Sequence, residues 1–123
     1  MRALFVNADP SVAHAISLML KASGIVTDHT CAGPEALKLL QRRSYDVILL
    51  DLNMPMFTGW DFLERMQSIS QYVKKNIKVF VLTSSVRIED TENAEQYPFV
   101  RSVISKPLNP NTIEKITQRH YVE

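Results

Sequence analysis

The sequence has little cysteine, little glycine and no long hydrophobic run. Its single cysteine, Cys31, rules out a disulfide bond within the chain and fits a reducing compartment, most simply the cytoplasm. None of the three glycines follows the first apolar run closely, which argues against a glycine-rich loop for nucleotide phosphates. No apolar stretch approaches the roughly 20 residues that a membrane span needs. These absences disfavour disulfide-rich, nucleotide-binding and membrane-embedded classes of protein.

Neither the net charge nor the positions of the histidines indicate a particular class of ligand. The net charge is +1, so no overall field directs the chain to nucleic acid or to an acidic membrane. His14, His29 and His120 are scattered without metal-site spacing, which favours surface or partly packed side chains. The 123 residues, 46% of them hydrophobic, suffice for one domain with one core, and we assign residues 1–123 to it.

Short apolar runs alternate with helix-forming segments five times along the chain. Several predicted helices follow a start signal, such as Asp9-Pro10, Gly33-Pro34 or Asn109-Pro110. The predicted strands are residues 3–6, 25–30, 47–50, 78–82 and 99–104, and the predicted helices are about 10–23, 33–43, 59–76, 88–96 and 110–120. This alternation predicts an α/β fold: a doubly wound, five-stranded parallel sheet in the order 2-1-3-4-5, with helices on both faces.

Three side chains of different chemistry follow three of the predicted strands. Asp51 ends the third strand, Thr83 ends the fourth, and Lys106 follows the fifth. Because the carboxyl ends of parallel strands share one edge, a carboxylate, a hydroxyl and an ammonium converge there. Taken singly, an aspartate at a strand end is more often a turn former, a threonine there is more often a helix cap, and a lysine is more often a solvated charge. Together they favour a functional site, in which Lys106 is the cation that a buried Asp51 requires.

Three segments at this edge, LLDLNMPMFTGWDFL, VLTSS and ISKPL, resemble the receiver domains of bacterial two-component response regulators, the chemotaxis-regulator-like family. The resemblance implies a flavodoxin-like fold in which Asp51 is the phosphoryl acceptor. It implies that the backbone carbonyl of Asn53 and the carboxylate of Asp51 bind Mg²⁺. It also implies that the Thr83 hydroxyl moves toward the phosphoryl group and that Lys106 binds one of its oxygens, as phosphoryl transfer requires.

The family also implies partners. A histidine kinase or a histidine phosphotransfer protein would be the donor. We expect a phosphoacceptor that at most catalyses its own phosphorylation and dephosphorylation, and not an enzyme acting on other substrates. Since the sequence ends with the fifth helix, the expected output is contact with a downstream protein, through the fourth helix, fifth strand and fifth helix. We expect no nucleic-acid or membrane partner, and a monomer or weak dimer.

The chain departs from the family pattern at two places. The acidic pair that holds Mg²⁺ in receivers is replaced by Asn7 and Ala8, so we predict a weak metal site in which Asn7 offers only a neutral oxygen. Asp9 lies one residue further on, and its better role is a helix N-cap. Without a bound ion, Lys106 should pair directly with Asp51. The aromatic switch position is occupied by Val103.

These departures leave alternatives open. One is a pseudo-receiver, a binding module that keeps the fold and signals without phosphate. A small α/β enzyme with Asp51 as nucleophile lacks a general base and is disfavoured. Met54, Met56 and Trp60 flank the acceptor loop, and they either pack on the third helix or form an exposed patch. Cys31 has no adjacent histidine and reads as an inert thiol.

Overall fold

The computed structural model describes residues 1–54, 56–69, 76–106 and 108–117. Five strands and five helices alternate along the described chain: β1 Arg2–Val6, α1 Pro10–Ala22, β2 Val26–Thr30, α2 Gly33–Arg42, β3 Val47–Asp51, α3 Gly59–Ser68, β4 Lys78–Thr83, α4 Ile88–Ala94, β5 Val100–Ser105 and α5 Pro110–Thr117. All neighbouring strands are parallel, in the order β2-β1-β3-β4-β5. The predicted fold class and strand order are confirmed.

The three interior strands are the most apolar segments of the chain. Every residue of β3 is buried, as are all but the first residues of β1 and β4. The edge strands β2 and β5 are only partly buried. A strand covered by helices on both faces shows no polar alternation, which explains why β3 could be identified from VILLD alone.

Side chains of the sheet divide between two cores. One face carries residues such as Leu4, Ile48 and Val79 and packs against α2 and α3. The other face carries residues such as Phe5 and Phe80 and packs against α1 and α5. Successive residues of a strand point to opposite faces, so each interior strand contributes to both cores. The carboxyl ends of the strands are thereby held between two packed layers.

Local signals set the starts of the helices that surround the site. The Asp9 carboxylate accepts a hydrogen bond from the Ser11 amide at 2.9 Å and caps α1, as predicted. Thr58 and Asp61 form a reciprocal capping box at the start of α3. Gly24 ends the α1 region with a φ of 80°, a conformation that favours glycine. The site loops are therefore anchored by capped helices.

Element boundaries differ from the predicted ones by a few residues. Helix α4 ends at Ala94, two residues before the predicted end at Gln96. Strand β5 spans Val100–Ser105, so it is shifted one residue along the chain. Helix α3 is described to Ser68, and the predicted continuation through residues 70–75 lies outside the described residues. The predicted end of the last helix near His120 also lies outside them.

The β4–β5 ladder contains one irregularity. Val79 pairs with Val100, but Phe80 pairs with Ser102, so Arg101 is the extra residue of a bulge. Val100 and Val103 then pack against the same core although they are three residues apart. In a regular strand, residues three apart point to opposite faces. Val100 and Val103 share a face because the extra residue Arg101 lies between them.

A polar cluster joins β1, β2 and the start of β3. One oxygen of Asp28 accepts hydrogen bonds from the Tyr45 hydroxyl at 2.6 Å, from Arg43 at 3.0 Å and from Arg2 at 3.2 Å. Burial alone would raise the pKa of Asp28, but the bonds from Tyr45 and the two arginines outweigh it and lower the pKa. Burial, followed by the hydrogen bond to the Asp28 carboxylate, raises the pKa of Tyr45 from 10.0 to about 12.

This shift predicts an alkaline loss of stability. The unfolded chain releases the tyrosine proton near pH 10 and the folded chain near pH 12, so stability is full below pH 10 and falls as pH rises through that window. We expect up to about 2 kcal/mol of the free energy of unfolding to depend on it. The free energy of unfolding, measured in urea at several pH values between 9 and 12, should fall less steeply with pH for Tyr45→Phe than for the native protein. Equal slopes for both proteins would contradict the prediction.

Candidate functional site

The carboxyl edge of the sheet brings together residues that are distant in sequence. Asp51 is the last residue of β3, Asn7 follows β1, and Lys106 follows β5. The Asn7 carboxamide and the Lys106 ammonium both contact the Asp51 carboxylate. Asp51 is 5% exposed and Asn7 is 3% exposed, so these contacts form in a site largely closed to solvent. The predicted convergence of Asp51 and Lys106 is observed.

Each oxygen of the Asp51 carboxylate accepts two hydrogen bonds. Oδ1 accepts from the Asn53 amide at 2.9 Å and from Lys106 Nζ at 3.1 Å. Oδ2 accepts from Asn7 Nδ2 at 3.0 Å and, again, from Lys106 Nζ at 3.1 Å. A carboxylate has about four lone-pair positions. The charge of Asp51 is therefore paired and its hydrogen-bonding capacity is filled, as burial of a charge requires.

Lys106 reaches Asp51 from a fixed backbone. Its amide donates to the Thr83 carbonyl at 2.7 Å, which continues the β4–β5 ladder by one residue. Its side chain is partly exposed, while that of Asp51 is almost wholly buried. The direct Lys106–Asp51 pair that sequence analysis predicted is confirmed, and it supplies the cation at this edge.

Asn7 is oriented differently from what the sequence suggested. Its Oδ1, the oxygen that we expected to be offered to a metal, accepts the Asp9 amide at 2.6 Å. Its Nδ2 faces Asp51 instead. Sequence analysis missed this donor role because asparagine carries an oxygen and a nitrogen of the same size, and only the neighbours decide which one faces the site. The tight turn into the Asp9 cap is the signal that could have indicated it.

The other predicted residues differ in how they relate to the Asp51 carboxylate. Thr83 is buried at the end of β4, and its hydroxyl donates to the Ser85 carbonyl at 3.4 Å. Asn53 contacts Asp51 through its backbone N–H. Asp9 caps α1. Val103 is half-buried beside the core on the α2 and α3 face.

The acceptor loop divides its apolar residues between core and surface. Met54 is buried and Trp60 is packed against the same core, whereas Met56 is fully exposed with a φ of 65°. Met54 and Trp60 therefore pack as the first alternative predicted, and Met56 is the exposed residue of the three. A Cβ on Gly59 would lie 2.9 Å from Leu52 Cα, so this loop folds against the end of β3 only with glycine at that position.

Few of the oxygens at this edge are free to bind Mg²⁺. The ion prefers about six oxygen ligands in octahedral geometry. Asp51 already accepts four hydrogen bonds, and Asn7 Oδ1 and Asp9 Oδ1 each accept a backbone amide. Ala8 offers no side-chain ligand. Nowhere in the described ranges do three His, Cys, Asp or Glu side chains cluster as metal ligands would.

Comparison with known proteins gives a consistent result. The sequence model for the response regulator receiver domain matches residues 3–118. The cell cycle transcriptional regulator CtrA of Caulobacter vibrioides is 36% identical over 89 residues, which are 72% of this chain and 37% of that protein. The cell cycle response regulator CtrA of Brucella ovis is 33% identical over 90 residues, with 73% and 37% covered. The chain thus matches little more than a third of the length of these curated relatives.

Solved structures show the same fold. The chemotaxis protein CheY4 of Vibrio cholerae superimposes with a TM-score of 0.85 at 30% identity, covering 96% of both chains. The receiver domain of the sensor histidine kinase PA1611 from Pseudomonas aeruginosa has a TM-score of 0.82 at 23% identity, covering 99% of this chain and 98% of that one. That second structure contains a magnesium ion in its active-site cleft.

Within the described residues, no helix is both long and apolar enough to cross a membrane.

The strand order, the Asp51–Lys106 pair at the carboxyl edge and the match over residues 3–118 agree with one another. From these findings, the chain belongs to the receiver domains of two-component response regulators.

Proposed function

We propose that this receiver domain accepts a phosphoryl group on Asp51 from the phosphohistidine of a kinase or a phosphotransfer protein. An Asp51 oxygen forms a bond to phosphorus, the bond from phosphorus to the histidine nitrogen breaks, and the nitrogen keeps the electron pair. The observation that supports this most directly is the Lys106 ammonium, which lies 3.1 Å from both carboxylate oxygens. A cation in this position offsets the charge that the incoming phosphoryl oxygens carry.

The reaction requires one oxygen of Asp51 to lose a donor. Both oxygens already accept two hydrogen bonds, and the nucleophilic oxygen needs a free lone pair. Lys106 is the donor best able to move, because it is partly exposed and carries a long side chain. In the proposed reaction its ammonium follows the charge from the carboxylate to a phosphoryl oxygen, and the Thr83 hydroxyl turns from Ser85 toward the same group.

We further propose that the domain signals by contact with a downstream protein. It acts as a phosphoacceptor in the cytoplasm, and it is a monomer or weak dimer. The surface formed by α4, β5 and α5 supports this part of the proposal. Ile88 is 79% exposed at the start of α4, and Val86 is exposed just before it. With Val103 at the aromatic switch position, the response must come from Thr83 and from the segment that joins β4 to α4. Binding of Mg²⁺ is proposed to be weak, because Asn7 and Ala8 replace the acidic pair.

Intact-mass analysis tests the proposed acceptor. After incubation with acetyl phosphate and MgCl₂, the native chain should gain one phosphoryl group, and Asp51→Asn should gain none because an amide is not a nucleophile here. Asp61→Asn is the matched control, since Asp61 is an exposed carboxylate in the capping box of α3. It should gain one group, as the native chain does. A native chain that stays unmodified while folded would contradict the proposal.

A second candidate function is a binding module that acts without phosphate. The filled hydrogen-bonding capacity of Asp51 is the observation that favours it, since a fully satisfied carboxylate is a stable end state. Under this alternative, Asp51→Asn would leave affinity for the downstream partner unchanged, and acetyl phosphate would have no effect on it. Under the leading proposal, the phosphoryl donor changes that affinity for the native chain only.

A further inference from the structure

The carboxamide of Asn7 is fixed at both of its ends. Its Oδ1 accepts the Asp9 amide at 2.6 Å, and its Nδ2 donates to Asp51 Oδ2 at 3.0 Å. A backbone amide can only donate and a carboxylate can only accept, so a single orientation of the side chain satisfies both neighbours. Because Asn7 is buried, water has little access to compete with either bond. The amide nitrogen is therefore committed to Asp51.

The backbone of Asn7 is fixed as well. Its N–H donates to the Thr30 carbonyl at 3.1 Å, and its carbonyl lies 2.9 Å from His29 Nε2. Since a carbonyl only accepts, His29 Nε2 is the donor in this contact. Strand β2 thus holds both backbone groups of Asn7. The side-chain nitrogen is placed opposite Asp51 before any ligand arrives.

We infer that the Asn7 carboxamide is a positioning residue that takes the place of a divalent cation at Asp51 in the resting protein. The inference rests on the proposed function in that it concerns the same acceptor carboxylate. Asn7 supplies the positive end of an N–H dipole to Oδ2, while Lys106 supplies the full charge to both oxygens. Together with the Asn53 amide, they complete the hydrogen bonds of Asp51 without a metal ion.

Residue 7 then decides whether the site needs a cation. An aspartate there would set a carboxylate oxygen where Nδ2 now lies, 3.0 Å from Asp51 Oδ2. Two anionic oxygens at that separation repel each other unless a cation or a proton lies between them. The native asparagine removes this repulsion and adds an attraction. The resting site should accordingly be indifferent to Mg²⁺ in this chain.

Thermal unfolding of the unphosphorylated protein tests the inference. The midpoint is measured in EDTA and across a MgCl₂ titration at constant ionic strength, for the native chain and for Asn7→Asp. We expect the native midpoint to stay constant. The Asn7→Asp midpoint should be lower in EDTA and should rise with MgCl₂, since an ion that binds only the folded state stabilises it. The double variant Asn7→Asp with Ala8→Asp should bind Mg²⁺ at least roughly tenfold more tightly than the native chain, because it restores two charged ligands.

Two further variants separate this role from a general effect of charge or of folding. Asn93→Asp makes the same change at an exposed position in α4, and its midpoint should match that of the native chain at every MgCl₂ concentration. Asn7→Ala removes the donor without adding charge, so its midpoint should be lower than the native one and unresponsive to MgCl₂. It also provides the test if Asn7→Asp fails to fold.

Either of two results would overturn the inference. One is a native midpoint that rises with MgCl₂ as steeply as that of Asn7→Asp. The other is an Asn7→Ala or Asn7→Asp protein that is as stable in EDTA as the native chain. No phosphoryl donor is present in these measurements, so their outcome is independent of whether Asp51 accepts a phosphoryl group.

Discussion

Replacing Lys106 with Met is expected to slow phosphoryl incorporation at Asp51 by about 100- to 1000-fold, the loss typical of removing one preorganised donor from a transition state. Met keeps much of the length and volume of the lysine stem but has no charge. In the native protein the ammonium contacts both oxygens of Asp51 at 3.1 Å. Without it, phosphoryl oxygens approach an uncompensated, buried carboxylate. The initial rate of mass gain with acetyl phosphate measures the effect.

A matched substitution shows whether the loss is specific. Lys115→Met makes the same change on the exposed side of α5, and it should leave the rate within about twofold of the native value. Lys106→Arg keeps the charge but replaces a compact ammonium by a planar group, so an intermediate rate is expected. Circular dichroism confirms that each variant is folded. A Lys106→Met rate within tenfold of the native rate would remove Lys106 from the proposed mechanism.

The largest loss of stability is expected from Phe80→Ala, at about 3 to 5 kcal/mol. Phe80 lies in the middle of β4 and is wholly buried in the core that α1 and α5 cover. Removing its ring leaves a cavity in the centre of the sheet, where backbone hydrogen bonds on both sides limit collapse. Urea unfolding of both proteins measures the difference in their free energies of unfolding. The comparison is valid when the free energy of unfolding depends equally steeply on urea concentration in both.

The control for Phe80 is another phenylalanine. Phe99 is half-buried just before β5, and its ring lies 5.9 Å from that of Tyr97. Phe99→Ala removes the same atoms from a site where water already contacts the ring, so a smaller loss is expected. If Phe99→Ala cost more than Phe80→Ala, burial in the two cores would not be the main source of stability for this sheet.

The sequence was sufficient to predict the fold and the edge at which the site lies. Apolar runs without polar alternation identify β1, β3 and β4 as interior strands, and the strand order follows from five alternating units. Asp51, Thr83 and Lys106 end consecutive strands, and geometry alone brings their positions to one edge. These features are predictable because each depends on the periodicity of a whole segment.

Single contacts were harder to predict, because they depend on neighbours from other strands. Which end of Asn7 faces Asp51 is decided by the Asp9 amide, and nothing in the residue type reveals it. The Asp28–Tyr45 hydrogen bond joins β2 to the start of β3 across 17 residues of chain. The early end of α4 at Ala94 reflects the weak amphipathic pattern of that helix, which left its boundary poorly specified.

The bulge at Arg101 gives β5 one residue more than a regular ladder with β4 would hold. After the bulge, Val103 faces one core, Ile104 faces the other, and Lys106 follows at the carboxyl edge. Without Arg101, the residue pairs on both sides of the bulge would be kept and the two strands would pair regularly, so no side chain after it would change face. Deletion of Arg101 should therefore leave the counter-charge of Asp51 in place, and this is the position at which β5 can lose a residue without disturbing the site.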